Sequence, residues 1–171
     1  IYFYLAAIHA AENNHINAIE YFKKSINLED NSQTKYNLAL SFLATNNFED
    51  GWKYYKHRNA YYLFKNKTKN QKDWDGKYFE GTLVVHGEQG IGDEILFSSM
   101  FPDLLKTQKK LLVTCEKRLL NIFRRSFKSI EFIERGIEIP YIKNQKNIAA
   151  GDLGQFFRKN SRDFNINKWI K

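Results

Sequence analysis

Residues Thr82 to Met100 read TLVVHGEQGIGDEILFSSM, and this stretch decides the fold. Thr82 to Val85 is a short apolar, partly β-branched run, the composition of a buried strand. Gly87, Gly90 and Gly92 then break the run with three positions free to take positive φ. From Asp93 onward Ile95, Leu96, Ser99 and Met100 return at helical spacing. A strand, a glycine loop and a helix start make the first half of a βαβ unit. In open parallel sheets such a junction faces a crevice at the carboxyl ends of the strands, where ligands bind.

Working outward, the alternation continues. Leu111 to Cys115 reads as a second strand, Arg118 to Phe127 as a helix, and Ile130 to Ile133 as a third strand. Ile137 to Lys146 is a basic connection containing Pro140, and Ile148 to Ala150 is a candidate short fourth strand. Gly151-Asp152-Leu153 opens a short helix with Phe156, Phe157 and Arg158. Strands alternating with helices imply a small parallel sheet with right-handed crossovers.

Upstream, residues 1–58 hold an internal repeat. Leu5, Ala6, Ala18 and Phe22 recur as Leu38, Ala39, Gly51 and Tyr55, each displaced by 33 residues, with His9 and Phe42 in step. The spacing predicts four helices, roughly 1–12, 15–28, 32–45 and 48–64. Asn13-Asn14, Glu29-Asp30-Asn31 and Asn46-Asn47 supply turns and caps. Residues 65–80 are rich in Lys and Asn and read as a linker, with Asp75-Gly76 a turn signal and Trp74 an anchor. The expected organisation is helical hairpins over 1–64, a linker over 65–80 and an α/β lobe over 81–171. His9, His15 and His57 show no metal-ligand pairing and read as structural or surface residues.

Composition narrows the function. An apolar fraction of 43% with 16% aromatic residues supports packed cores and excludes a disordered chain. The single cysteine, Cys115, excludes a disulfide framework and suits a reducing cytoplasm. No run reaches the roughly 18 apolar residues of a transmembrane helix, and there is no signal-peptide pattern. The opening IYFYLAAIHAA lacks a start methionine and reads as a fragment beginning inside a helix. The net charge of +8 is uneven. Residues 1–80 carry 11 Lys/Arg against 9 Asp/Glu, and residues 81–171 carry 16 against 10. That excess favours anionic partners or is a solvated lysine face. No nucleic-acid-binding signature appears.

The loop itself is not a P-loop, because no Lys-Ser/Thr follows the glycines. Nor is it the dinucleotide fingerprint, since the order is G-x-x-G-x-G followed directly by Asp93. Glu116, ending the second strand, keeps a nucleotide-binding alternative open, but Asp93 and Glu94 at the helix start would repel a pyrophosphate. A hydroxyl-bearing ligand suits the loop better. Asp93 can serve either as an N-cap or as a base, and spacing alone does not separate the two. Glu88 has no capping role and is a candidate polar site residue. No residue pattern calls for a cofactor or a metal.

Several motifs then agree with one family. Gly51-Trp52-x-x-Tyr55-x-x-Arg58, Trp74-Asp75-Gly76 and the run Gly87 to Ile95 (GEQGIGDEI) occur in that order. They resemble bacterial proteins that join tetratricopeptide repeats to a heptosyltransferase-like glycosyltransferase domain of family nine. Arg125-Ser126-Phe127 and the Gly151 to Arg158 segment look like later landmarks of that group. The resemblance implies an α + α/β chain: tetratricopeptide-like hairpins, then a small Rossmann-like parallel sheet that is the N-terminal half of a GT-B fold. It implies Asp93 as general base, with Glu88, Gln89, Gly90, Gly92, Glu94 and Arg125 binding substrate. The acceptor would carry a hydroxyl, and a nucleotide-sugar donor would bind a second lobe that this chain lacks, leaving it inactive alone. Two other functions remain in view: a protein-protein interaction module built on the repeats, and a nucleotide-binding Rossmann domain using Glu116.

Overall fold

The computed structural model describes residues 1–140, 142–164 and 168–171. The fold is α + α/β: helical hairpins followed by a small parallel sheet. Two compact units divide the chain, one made of Ile1–Tyr62 with Arg158–Phe164, the other of Leu63–Phe157 with Asn165–Lys171.

The first unit contains α1 (Tyr2–Ala11), α2 (His15–Leu28), α3 (Ser32–Ala44), α4 (Phe48–Tyr55) and the start of α5 (Asn59–Lys67). Asparagines set the boundaries. Asn13 and Asn46 take left-handed φ of 60° and 61° after α1 and α3, again 33 residues apart. The carbonyl oxygens of Asn14, Asn31 and Asn47 accept the N–H of Asn17, Thr34 and Asp50, capping α2, α3 and α4. Asn31→Ala should therefore cost about 1 kcal/mol and Asn31→Gly only a few tenths, read by urea denaturation. The core of the hairpins joins Ala6, Ala18 and Phe22 to Leu38 and Phe42, so small residues let the helices approach and aromatic rings fill the gap.

The helix expected over 48–64 is broken instead. Arg58 is buried, its guanidinium lies 4.6 Å from the Tyr55 ring centroid, and Nη1 donates to the Tyr55 carbonyl at 3.2 Å. The Tyr55 carbonyl also accepts the Arg58 backbone N–H at 3.2 Å, so α4 closes in a tightened last turn onto which the Arg58 side chain folds. Arg158–Phe164, expected in the α/β lobe, belongs to the helical unit. The Trp52 indole N–H donates to the Arg158 carbonyl at 2.7 Å, and the Phe48 and Phe164 rings lie 5.0 Å apart.

The second unit is built on a four-stranded parallel sheet in the order β3-β2-β1-β4. Its strands are β1 (Thr82–His86), β2 (Lys110–Cys115), β3 (Glu131–Glu134) and β4 (Gln145–Ala149). Helices α6 (Ile91–Ser98) and α7 (Phe101–Thr107) lie between β1 and β2, α8 (Leu120–Ser126) lies between β2 and β3, and α9 (Gly154–Phe157) follows β4. Leu83, Val84 and Val85 are fully buried because β1 has a strand on either side. An aromatic cluster of Phe101, Phe123, Phe127 and Phe132 fills the core beneath β2 and β3.

The stretch 65–80 is part of this unit, which begins at Leu63. Asp73 forms a parallel bridge with Asn147, whose N–H and C=O pair with Lys72 and Trp74. Trp74 is buried against Phe156 and Phe157. Gly76 takes φ +83°, and a Cβ there would strike the Phe156 ring.

Candidate functional site

In the order β3-β2-β1-β4 the chain steps from β1 to one side, while β4 arrives on the other. The switch point therefore lies between the carboxyl ends of β1 and β4, the usual place for a ligand crevice. Two segments meet there: the loop Gly87–Gly90 with the first turn of α6, and the 3₁₀ turn Ala150–Leu153, against which α6 packs.

The three acids of the loop have separate fates. Glu88 is buried, and its Oε1 accepts the Gly151 N–H at 2.7 Å, a clamp between the ends of β1 and β4. Glu94 is also buried, and its Oε2 accepts the Glu116 N–H at 2.7 Å, a clamp between the ends of β1 and β2. The other oxygen, Oε1, lies 3.3 Å from Nη1 of Arg135. Burial pushes the Glu94 carboxyl up to about 7, against the opposing pull of the Glu116 N–H and Arg135. Asp93 is exposed and makes no hydrogen bond or ion pair with any described residue. The helix period explains the division. Glu94, Phe97 and Ser98 share the inward face of α6, and Asp93 stands about 100° away from Glu94.

The N-cap reading of Asp93 is corrected. The N-cap of α6 is Gly90, with no side-chain cap, so Asp93 sits at the third helical position. There its charge still faces the positive helix end favourably. Gly90 approaches it closely: a Cβ on Gly90 would lie 2.9 Å from Asp93 Oδ2.

The glycines are not needed for positive φ either. Among the described glycines only Gly76 and Gly136 take it. Gly87 is fixed by close approach, since a Cβ there would meet Glu94 Oε1 and lie 2.6 Å from the Thr114 carbonyl oxygen. Its N–H donates to Thr114 Oγ1 at 3.0 Å. Gly92 is the opposite case: it is exposed, and a Cβ there would meet nothing within 4 Å. Gln89 is exposed beside it. Gln89, Gly92 and Asp93 thus form the open rim, with Glu88 and Glu94 as its internal supports.

Arg125 is not brought to this rim. It lies in the last turn of α8, which returns from the carboxyl end of β2 toward the start of β3. That places it at the amino end of the sheet, where its Nε donates to the Lys171 carbonyl at 2.6 Å. Glu116 is held by Arg118, whose Nε donates to Oε2 at 2.7 Å and keeps the carboxyl below its usual range. Burial pushes the Cys115 thiol up to about 12, so it stays protonated and unreactive near neutral pH. Among the described residues no group of three or more His, Cys, Asp or Glu could hold a metal ion.

Sequence reasoning missed Arg135 and the structural use of Gly151. Arg135 carries no local signal, because its partner is 41 positions upstream. Gly151 was findable, since it follows the strand adjacent to β1 at the same end of the sheet.

No helix among the described residues is long and apolar enough to cross a membrane. No protein-family model matches the chain, and no solved structure matches it significantly. The chain is similar to protein FlbA of Caulobacter vibrioides, with 30% identity over 110 residues, covering 60% of this chain. It spans only 18% of the length of that relative.

Proposed function

We propose that this chain is the repeat domain and acceptor-binding lobe of a glycosyltransferase-like protein. It would transfer a sugar from a nucleotide-sugar donor when a second lobe is present to bind that donor. One observation carries the reading: in the loop at the switch point Asp93 is the exposed carboxylate, and it makes no hydrogen bond or ion pair with any described residue. An exposed carboxylate on a fixed first turn can accept the proton of an acceptor hydroxyl as that oxygen attacks the donor's anomeric carbon. Gln89 and the open edge at Gly92 border the place where the acceptor would lie, and Glu88 and Glu94 hold the loop rigid from beneath. Closure by the second lobe would add proximity and cationic stabilisation of the departing nucleotide phosphate.

The dinucleotide alternative has less support. The Glu94 carboxylate occupies the space beside Gly87, and the Glu116 carboxylate is bonded to Arg118.

The test uses a chain extended to carry a second, donor-binding lobe, incubated with a panel of nucleotide-sugars and sugar acceptors. Asp93→Asn should lower nucleotide release about 10²- to 10⁴-fold while lowering the melting temperature by no more than about 3 °C, the loss of one charge at a helix start. Undiminished release in a stable Asp93→Asn protein would remove Asp93 as the base.

A further inference from the structure

The helical unit leaves one apolar face uncovered, and its own internal repeat identifies what covers such a face. On α3, Thr34, Leu38 and Ser41 are 3%, 0% and 1% exposed. The preceding hairpin buries them. Leu38 lies in the cluster with Ala6, Ala18 and Phe22, and the Ser41 hydroxyl lies 3.4 Å from His15 Nδ1 at the start of α2. Moving back by the 33-residue displacement lands on Ile1, Leu5 and Ile8. These are 96%, 37% and 55% exposed, and Tyr4 between them is 71% exposed. They recur at i, i+3, i+4 and i+7, so they form one continuous stripe along α1. The stripe is more apolar than its counterpart, with two isoleucines standing where α3 has Thr34 and Ser41.

A helix that is apolar on both faces belongs in an interior. The inner face of α1 is already used, since Phe3, Ala6 and Ala10 pack in the hairpin core. From the continuity of this outer stripe with the interface between the two hairpins, we infer that α1 is a stacking surface. Its occupant is a further helical hairpin of the same period, whose second helix lies on Ile1, Leu5 and Ile8 as α2 lies on α3. This is independent of the sugar-transfer reading, because no residue of the glycine loop takes part.

The experiment places a second copy of residues 1–33 in frame ahead of Ile1. It compares this extended chain with the 171-residue chain, each with and without Ile8→Asp. Stacking predicts that the extension raises the melting temperature by about 5 °C or more, and that amides of α1 gain hydrogen-exchange protection. Ile8→Asp should cancel both gains in the extended chain yet leave the 171-residue chain within about 1 °C, where Ile8 faces solvent. An extension that neither stabilises nor protects α1 overturns the inference. So does a dimer of the 171-residue chain that Ile8→Asp dissociates, because a second copy would then be the occupant.

Discussion

Gly87→Ala is expected to destabilise the sheet unit by about 3 kcal/mol, while Gly92→Ala five residues away leaves stability within about 0.5 kcal/mol. The added methyl at Gly87 points at the Glu94 carboxylate and at the Thr114 carbonyl oxygen. Neither can yield easily. Thr114 belongs to a strand paired on both sides, and the Glu94 carboxylate is bonded to the Glu116 N–H. Gly92 has open space, and its helical position suits alanine. Paired urea titrations of the two variants measure the difference. Equal losses would mean that the loop relaxes around Gly87 and that the packing described there does not constrain it. The same pair separates stability from binding, because Gly92→Ala places a methyl on the open rim without touching the core.

The second large effect is on pH. The Glu94 carboxyl titrates at about 7 in the fold, above the ordinary value of 4.5. Between those values the folded protein holds a proton that the unfolded chain has released. Stability is therefore fully present below about pH 4.5 and falls as pH rises through 7, by about 3 kcal/mol in all, then levels off. Glu94→Gln keeps an oxygen for the Glu116 N–H and removes the charge, so its stability should stay flat across the same range. Denaturant midpoints at intervals from pH 5 to 8 would show the slope and its loss. A wild-type curve as flat as that of Glu94→Gln would show that the buried carboxyl is not the titrating group.

Much of the architecture was legible because it is written locally. β1 and β2 are short apolar runs, and each hairpin turn is marked by asparagines whose side chains cap the next helix, whereas β4 opens on the polar Gln145-Lys146-Asn147 and so begins three residues before the strand expected from Ile148. The break between α4 and α5 was not, because nothing in the pattern of Tyr54 to Phe64 interrupts a helix. At the break the N–H groups of His57 and Arg58 bond three residues back, to Tyr54 and Tyr55, and the Arg58 guanidinium shares the Tyr55 carbonyl. The site was half legible. Adjacent acids at a helix start identify the loop, yet which one faces outward depends on the helix phase. Glu94, Phe97 and Ser98 reveal that phase once read together as an inward face. Arg125 was placed near the ligand by a motif, whereas chain direction in α8 carries it to the far end of the sheet.

The helical unit is assembled from two chain segments separated by the whole strand-bearing stretch. This has a consequence for synthesis. The hairpins leave the ribosome first and can begin to pair, but Trp52 and Phe48 must wait about a hundred residues for Arg158 and Phe164. Loop closure over that span is slow compared with helix formation. The nascent hairpins therefore pass several seconds, at about 5–20 residues per second, with an indole donor and an aromatic ring facing water. A chain arrested before Arg158 would keep them there.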